Sequence, residues 1–167
     1  MNKETFCYWD ASVFIHLLQE KSMSSDAEMR KGAGEIWDSV QDGGCKIITS
    51  VITLVEIKGK HVKHNLEQYK KFLRCCEDGG VLLIALNRRI AEKASEARFY
   101  SWPNEKNLKT ENSIHLATAM TAEPLTQILY CTDGDLLKLD SNEINKIAGR
   151  KLEVKKPNPS KLFNTLS

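Results

Sequence analysis

The feature that most restricts how this chain can fold is a repeated one: a short apolar, β-favouring run that stops abruptly, followed by a helical stretch. Thr5 to Trp9 is almost wholly apolar and ends at Asp10. A run without polar alternation is the pattern of a strand buried on both faces of a parallel sheet. Gln127 to Cys131 repeats it and runs straight into Thr132-Asp133-Gly134-Asp135. Cys45 to Ser50 reads as another strand, as does Val81 to Leu86 between Gly79-Gly80 and Asn87, and Leu152-Glu153-Val154 is a brief last one.

Helices fill the intervals. One begins at Val13 to Leu18. A second carries Met29, Ala33, Ile36, Trp37 and Val40 at helical spacing, with Ser24-Ser25-Asp26 as N-cap candidates and Gly43-Gly44 as its stop. Ile52, Val55, Gly59, Val62, Leu66, Tyr69, Leu73 and Cys76 recur at alternating intervals of three and four, which predicts one long amphipathic helix with these residues on its buried stripe. A helix from Arg88 to about Tyr100 is broken by Trp102-Pro103-Asn104, and a polar loop, Glu105 to Lys109, leads to an Ala/Thr-rich run from Ser113 to Met120. Small side chains there suit a helix lying close against a sheet. Strands and helices in alternation predict an α/β fold with a central, mostly parallel sheet. The 167 residues suit one domain, over 1–155, with a tail from 156 to 167 that holds Pro157 and Pro159.

Ligand sites of such sheets form at the carboxyl ends of the strands. Asp10 stands at one such end, Glu56 lies within two turns of another, and Asp133 and Asp135 follow a third. Each acid has an ordinary reading as well: Glu56 as a solvated edge residue, Asp133 as the cap of a helix from Asp135 to Leu139. Together they would form a carboxylate cluster, and clustered carboxylates repel unless a hard cation neutralises them, so Mg²⁺ or Mn²⁺ is the expected occupant. Asn112 falls in the first turn of the Ala/Thr-rich helix, where a small polar residue is common; its functional reading is as the occupant of a position for a further metal-binding carboxylate.

Bulk properties exclude more than they assign. Lys+Arg 24 against Asp+Glu 22 gives a net charge of +2, too little to mark a nucleic-acid binder by overall electrostatics. Lys60, Lys63, Lys70, Lys71 and Arg74 gather on one flank but are interrupted by Glu67, as on a solvated helix face. His61 and His64 are spaced to meet on a helix, without a third ligand nearby. Five scattered cysteines, with no Cys-x-x-Cys pair, read as reduced core thiols. No stretch approaches the roughly 20 apolar residues of a membrane span, and Met1-Asn2-Lys3-Glu4 lacks the apolar core of a signal peptide, so a soluble cytoplasmic protein without membrane association is expected.

Four motifs in order resemble those of the PIN-domain ribonucleases, and among them the VapC-type toxins of toxin–antitoxin pairs, over nearly the whole chain. Asp10-Ala11-Ser12-Val13-Phe14-Ile15 is similar to the first, with its acid and following hydroxyl residue. Thr49-Ser50-Val51-Ile52-Thr53-Leu54-Val55-Glu56 resembles the second. Asn112-Ser113-Ile114-His115-Leu116-Ala117-Thr118-Ala119 matches the third, except that the family places Asp where Asn112 stands. Cys131-Thr132-Asp133-Gly134-Asp135-Leu136-Leu137 resembles the fourth, with Cys131 where Ser or Thr is usual, and Asn158-Pro159 also has the family's look.

The resemblance implies a PIN-like three-layer α/β/α sandwich and a Mg²⁺- or Mn²⁺-dependent endoribonuclease acting on RNA phosphodiesters. It makes Asp10, Glu56, Asn112 and Asp133 the catalytic group, with Asp10 and Asp133 as direct metal ligands. Glu56 binds metal or orients the attacking water, Asp135 belongs to the outer shell, and Ser12 and Thr132 hydrogen-bond to phosphate or to the carboxylates. It further implies an antitoxin partner, whose basic or amphipathic segment would cover the acidic pocket, and a homodimer. A single acid-to-amide difference among matching motifs is what a silencing change to a toxic nuclease looks like, so this chain should be inactive or weakened. Two other α/β readings lack their residues. A haloacid-dehalogenase-type phosphatase would need Asp where Ser12 stands, and a receiver domain would need a phosphoaccepting Asp on a middle strand together with a Lys late in the sheet. The rival of another class is a PIN-like module that has lost catalysis and binds RNA or protein.

Overall fold

Strand β1 (Phe6–Trp9) is the middle of a five-stranded sheet in the order β3-β2-β1-β4-β5, with β2 at Lys46–Ser50, β3 at Val81–Ile84, β4 at Ile128–Tyr130 and β5 at Glu153–Lys155. Every pairing is parallel. The computed structural model describes residues 5–18, 27–57, 66–100, 102 and 108–158. Eight helices among them are α1 (Ala11–Leu18), α2 (Ala27–Gln41), α3 (Ile52–Ile57), α4 (Leu66–Glu77), α5 (Arg88–Phe99), α6 (Thr110–Thr121), α7 (Gly134–Leu137) and α8 (Ser141–Ala148).

The apolar runs are continuous because both faces of the sheet are covered. Alternate strand residues go to opposite sides. Cys7, Trp9, Ile47, Val81, Ile128 and Tyr130 join Phe14, Ile36, Trp37 and Phe72 in a core under α1, α2 and α4. Tyr8, Ile48 and Leu129 join Leu116, Met120, Leu136 and Ile144 in the other core, under α6, α7 and α8. These two cores make the chain a three-layer α/β/α sandwich. Phe14 centres the first, with its ring 5.0 Å from Trp9, 6.3 Å from Trp37 and 4.9 Å from Phe72. Removing such a ring typically costs about 3–5 kcal/mol.

The predicted long helix is corrected in part. Its two ends are α3 and α4, and residues 58–65, with His61, His64, Lys60 and Lys63, lie outside the described ones. Val55 and Leu66, assigned to the buried stripe, are 74% and 53% exposed. The face of α3 is set instead by Thr53, whose hydroxyl meets that of Thr49 at 2.7 Å, and by the buried Ile57. Lys70 pairs with Glu67, as on a solvated face. Helix α8 is an addition to the sequence expectations: Asp140 caps it, Ile144 and Ile147 are buried, and Gly149 closes it at φ 66°. All five cysteines are free, but only Cys7 and Cys131 are buried. Positions 24–26 and 103–107 and those from Pro159 onward also fall outside the described residues.

Two contacts tie the layers together at the far end of the sheet. Arg150 donates its guanidinium to the carbonyls of Ala119, Met120 and Thr126, which caps the end of α6 and fixes the approach to β4. Beyond β5 the chain stays on the body through Asn158 and crosses α2 at Gly32, where an added Cβ would meet Asn158 N at 2.8 Å and Pro157 C at 2.9 Å. Backbone cannot yield as a side chain can, so Gly32→Ala should destabilise the protein by about 1–3 kcal/mol. At Gly34, on the same helix, an added Cβ would meet no atom within 4 Å; Gly34→Ala should stabilise by roughly 0.5–1 kcal/mol through helix propensity. Thermal melts of the two variants should therefore move in opposite directions.

Candidate active site at the carboxyl edge of the sheet

Asp10 follows the last residue of the middle strand, and its backbone N–H donates to Tyr130 O at 3.1 Å, which locks it to the end of β4. Its side chain is only 2% exposed. The Ser12 hydroxyl donates to Asp10 Oδ1 at 2.5 Å and the Val13 N–H reaches the same oxygen at 3.3 Å. Ser12 Oγ in turn accepts from Thr132 N at 2.9 Å. Ser12 is thus committed to a carboxylate and to the neighbouring strand end, and Thr132 enters through its backbone amide.

Asp133 opens α7, accepting at Oδ1 from the N–H groups of Asp135 and Leu136, so it caps the helix as its Asp-Gly-Asp setting suggests. The same oxygen accepts from Asn112 Nδ2 at 3.0 Å. Asn112 is buried in the first turn of α6. Asp135 contributes its backbone amide to this cap. Cys131 lies close enough to both Asp10 and Asp133 for their charges to add to the burial that pushes its thiol far up, so the two acids share one neighbourhood.

Glu56 comes from α3 and meets His115 rather than another acid: His115 Nε2 lies 2.7 Å from Glu56 Oε2. His115 Nδ1 lies 2.8 Å from the Tyr8 hydroxyl, which also accepts from Ser50 N at 3.1 Å. Burial, with the Asp10 charge adding to it, holds the Tyr8 hydroxyl protonated well above the usual range. Sequence reasoning missed His115 and Tyr8 as members of the site. Position 115 is three residues after Asn112, one turn along the same helix face, and that spacing was the available signal.

Burial pushes the Asp10 carboxyl up from 3.8 to about 6; the nearby His115, the Ser12 hydroxyl and the Val13 amide pull it down, and Glu56 adds to the rise. The structure therefore groups Asp10, Ser12, Thr132, Glu56 and His115 on one side and Asn112, Asp133 and the Asp135 amide on the other. Among the described residues no three His, Cys, Asp or Glu side chains form a ready-made metal cage. The donor set nevertheless fits a hard cation. Asp10 and Asp133 are each engaged by protein hydrogen bonds at Oδ1. The second oxygen of each remains for a ligand, and Mg²⁺ is commonly held by one or two carboxylates while keeping several waters.

No family model and no curated protein matches the sequence. Solved structures do match its fold. A chain in the structure of FitAB bound to the IR36 DNA fragment is 13% identical, with 89% of this chain and 94% of that one covered and a TM-score of 0.55. VapC20 of Mycobacterium tuberculosis, a sarcin–ricin loop cleaving toxin, is 17% identical, with 78% and 92% covered and a TM-score of 0.52. The fold is PIN-like. In this PIN-like frame, Asp10 and Asp133 stand at the carboxyl ends of the adjacent strands β1 and β4. Among the described residues no helix is long and apolar enough to cross a membrane.

The raised Asp10 carboxyl makes stability depend on pH. A folded-state pKa above the unfolded one means that ionisation disfavours the fold: stability is full below about pH 4, falls as pH rises toward 6, and is level above. The two-unit rise corresponds to roughly 3 kcal/mol. In metal-free buffer Asp10→Asn, which keeps the oxygen that Ser12 and Val13 use, should melt above the parent at pH 7.5, and the gap should close near about pH 4. Equal melting temperatures at both pH values would show that Asp10 carries no such cost.

Proposed function

We propose that the chain is a toxin-type PIN endoribonuclease that hydrolyses RNA phosphodiesters with Mg²⁺ or Mn²⁺, weakened by the amide at position 112. The observation that carries this reading is the pair of buried or half-buried carboxylates at adjacent strand ends, Asp10 and Asp133, each with one oxygen fixed and one open. Such a pair cannot approach a phosphate by itself, because like charges repel. Bound there, a divalent ion supplies Lewis-acid chemistry, offsetting the negative charge that gathers on the phosphate oxygens during hydrolysis.

The protein's own residues do the rest. Asp10 and Asp133 would hold the ion, and Ser12 and the Thr132 amide keep Asp10 in one orientation. Glu56 has its Oε2 engaged by His115, so Oε1 is the oxygen that aligns a water or accepts its proton. Asp135 supports Asp133 from the first turn of α7. The toxin reading brings RNA as substrate, a cytoplasmic setting and an antitoxin partner. An arginine from such a partner would satisfy the open carboxylate oxygens by a bidentate fork. A homodimer belongs to the same proposal.

A second reading, a PIN-like RNA- or protein-binding module without catalysis, is favoured by one contact. Asn112 donates a hydrogen bond to Asp133, which an acid at that position would not. The amide removes one negative charge and turns a ligand oxygen into a donor, so metal affinity should fall.

One set of variants separates the readings. Mn²⁺ should raise the melting temperature of Asn112→Asp more than that of the parent, and should leave Asp10→Asn almost unmoved. Asn112→Asp should gain RNA cleavage that EDTA abolishes and that Asp10→Ala removes again, while the parent cuts at least about a hundredfold more slowly. If folded Asn112→Asp with either metal cuts neither structured nor single-stranded RNA, the binding module replaces the enzyme.

A further inference from the structure

Of the acids at this edge, Glu56 is the one least fixed by its own element. Helix α3 is only six residues long, and the Glu56 side chain has three torsions and is 28% exposed. Left alone, such a side chain samples several rotamers, and ordering it costs up to about 2 kcal/mol. A glutamate that must align a water needs that ordering done before the substrate arrives.

His115 provides the ordering, and its hydrogen bonds define how. The relay starts at the sheet. Ser50, the last residue of β2, donates its N–H to the Tyr8 hydroxyl, and the phenol's own proton can go to His115 Nδ1. A ring that accepts at Nδ1 and stays neutral carries its proton at Nε2, and Nε2 is the atom 2.7 Å from Glu56 Oε2. Every donor then faces an acceptor. The ring cannot turn away, since it is 1% exposed and sits edge-on to Tyr8 at 5.9 Å and 70°. Asn112 lies one turn earlier on α6, so one helix presents both the group that touches Asp133 and the group that holds Glu56.

We propose that His115 is a positioning residue: it holds Glu56 in one rotamer, occupies Oε2 and leaves Oε1 as the working oxygen, while Tyr8 selects the ring tautomer that makes this possible. The proposal rests on the nuclease reading for what Glu56 does, but its geometry can be tested without cleavage. A histidine locked from behind so that its other nitrogen faces a carboxylate is a recurrent device around hydrolytic centres, and removing such support commonly costs 10–100-fold in activity or metal affinity.

Nitrogen–proton correlation spectra of the intact chain should show the His115 ring with its proton at Nε2, and Tyr8→Phe should mix in the other tautomer. The carboxyl carbon resonance of Glu56 should move on His115→Ala and return toward the parent position in His115→Gln, which can still donate from near the Nε2 site. In the Asn112→Asp background His115→Ala should lower kcat about tenfold or more, with KM for RNA changed by no more than about twofold, and His115→Gln should recover most of the loss. A neutral Nδ1–H ring in the parent would overturn the proposal. So would a folded His115→Ala variant whose Glu56 resonance, or whose kcat where cleavage is measurable, matches that of its background. If Asn112→Asp cleaves no RNA, the nuclease reading falls, while the tautomer and the Glu56 resonance still decide the placement of Glu56.

Discussion

Burying the Asp10 carboxylate at the end of the middle strand is the constraint on which this edge of the molecule depends. An acid that is 2% exposed would be costly to ionise unless its surroundings compensated, and here they do so only in part. The Ser12 hydroxyl and the Val13 amide satisfy one oxygen, and Ser12 passes the connection to the Thr132 amide. The polar contacts that make Asp10 tolerable are thus the ones that join the ends of β1 and β4. Stability has been conceded at one point, which is the usual mark of a functional position in an otherwise well-satisfied interior.

The two sides of the edge resolve their charge differently. Around Asp10, the Ser12 hydroxyl and the Val13 amide favour the anion, and Glu56 is paired with the His115 ring. Around Asp133, compensation comes from the α7 amides and from the Asn112 amide. An aspartate at 112 would set a second acid against Asp133 at hydrogen-bonding range, and two carboxylates at such spacing cannot both ionise without a cation or a shared proton. The amide substitutes a neutral hydrogen bond for that demand.

Much of this was legible in the sequence because burial on both faces leaves a strong signature. Thr5 to Trp9 could hardly be other than an interior parallel strand, and the acids at strand ends followed from that placement. The predicted stripe held at Tyr69, Leu73 and Cys76, which pack on the core, and failed at Val55 because α3 is too short for periodicity to fix its face; one threonine contact and Ile57 decided it. Helix α8 could have been read as well, since its cap, its Ile144–Ile147 pair and Gly149 are all present. The spacing from Asn112 marked the face on which His115 lies, but its partners were beyond the reach of local pattern, since they stand 59 and 107 residues away. Sequence motifs named the acids; only the fold could say which of them already had a partner.

Manganese anomalous scattering from crystals of the Asn112→Asp chain tests the central claim most directly. The account predicts a peak at the carboxyl edge, about 2.1–2.3 Å from side-chain oxygens of both Asp10 and Asp133. The same soak of Asp10→Asn should give a weaker peak or none. A peak bound elsewhere, or an empty edge at saturating Mn²⁺ with both aspartates ordered, would contradict it.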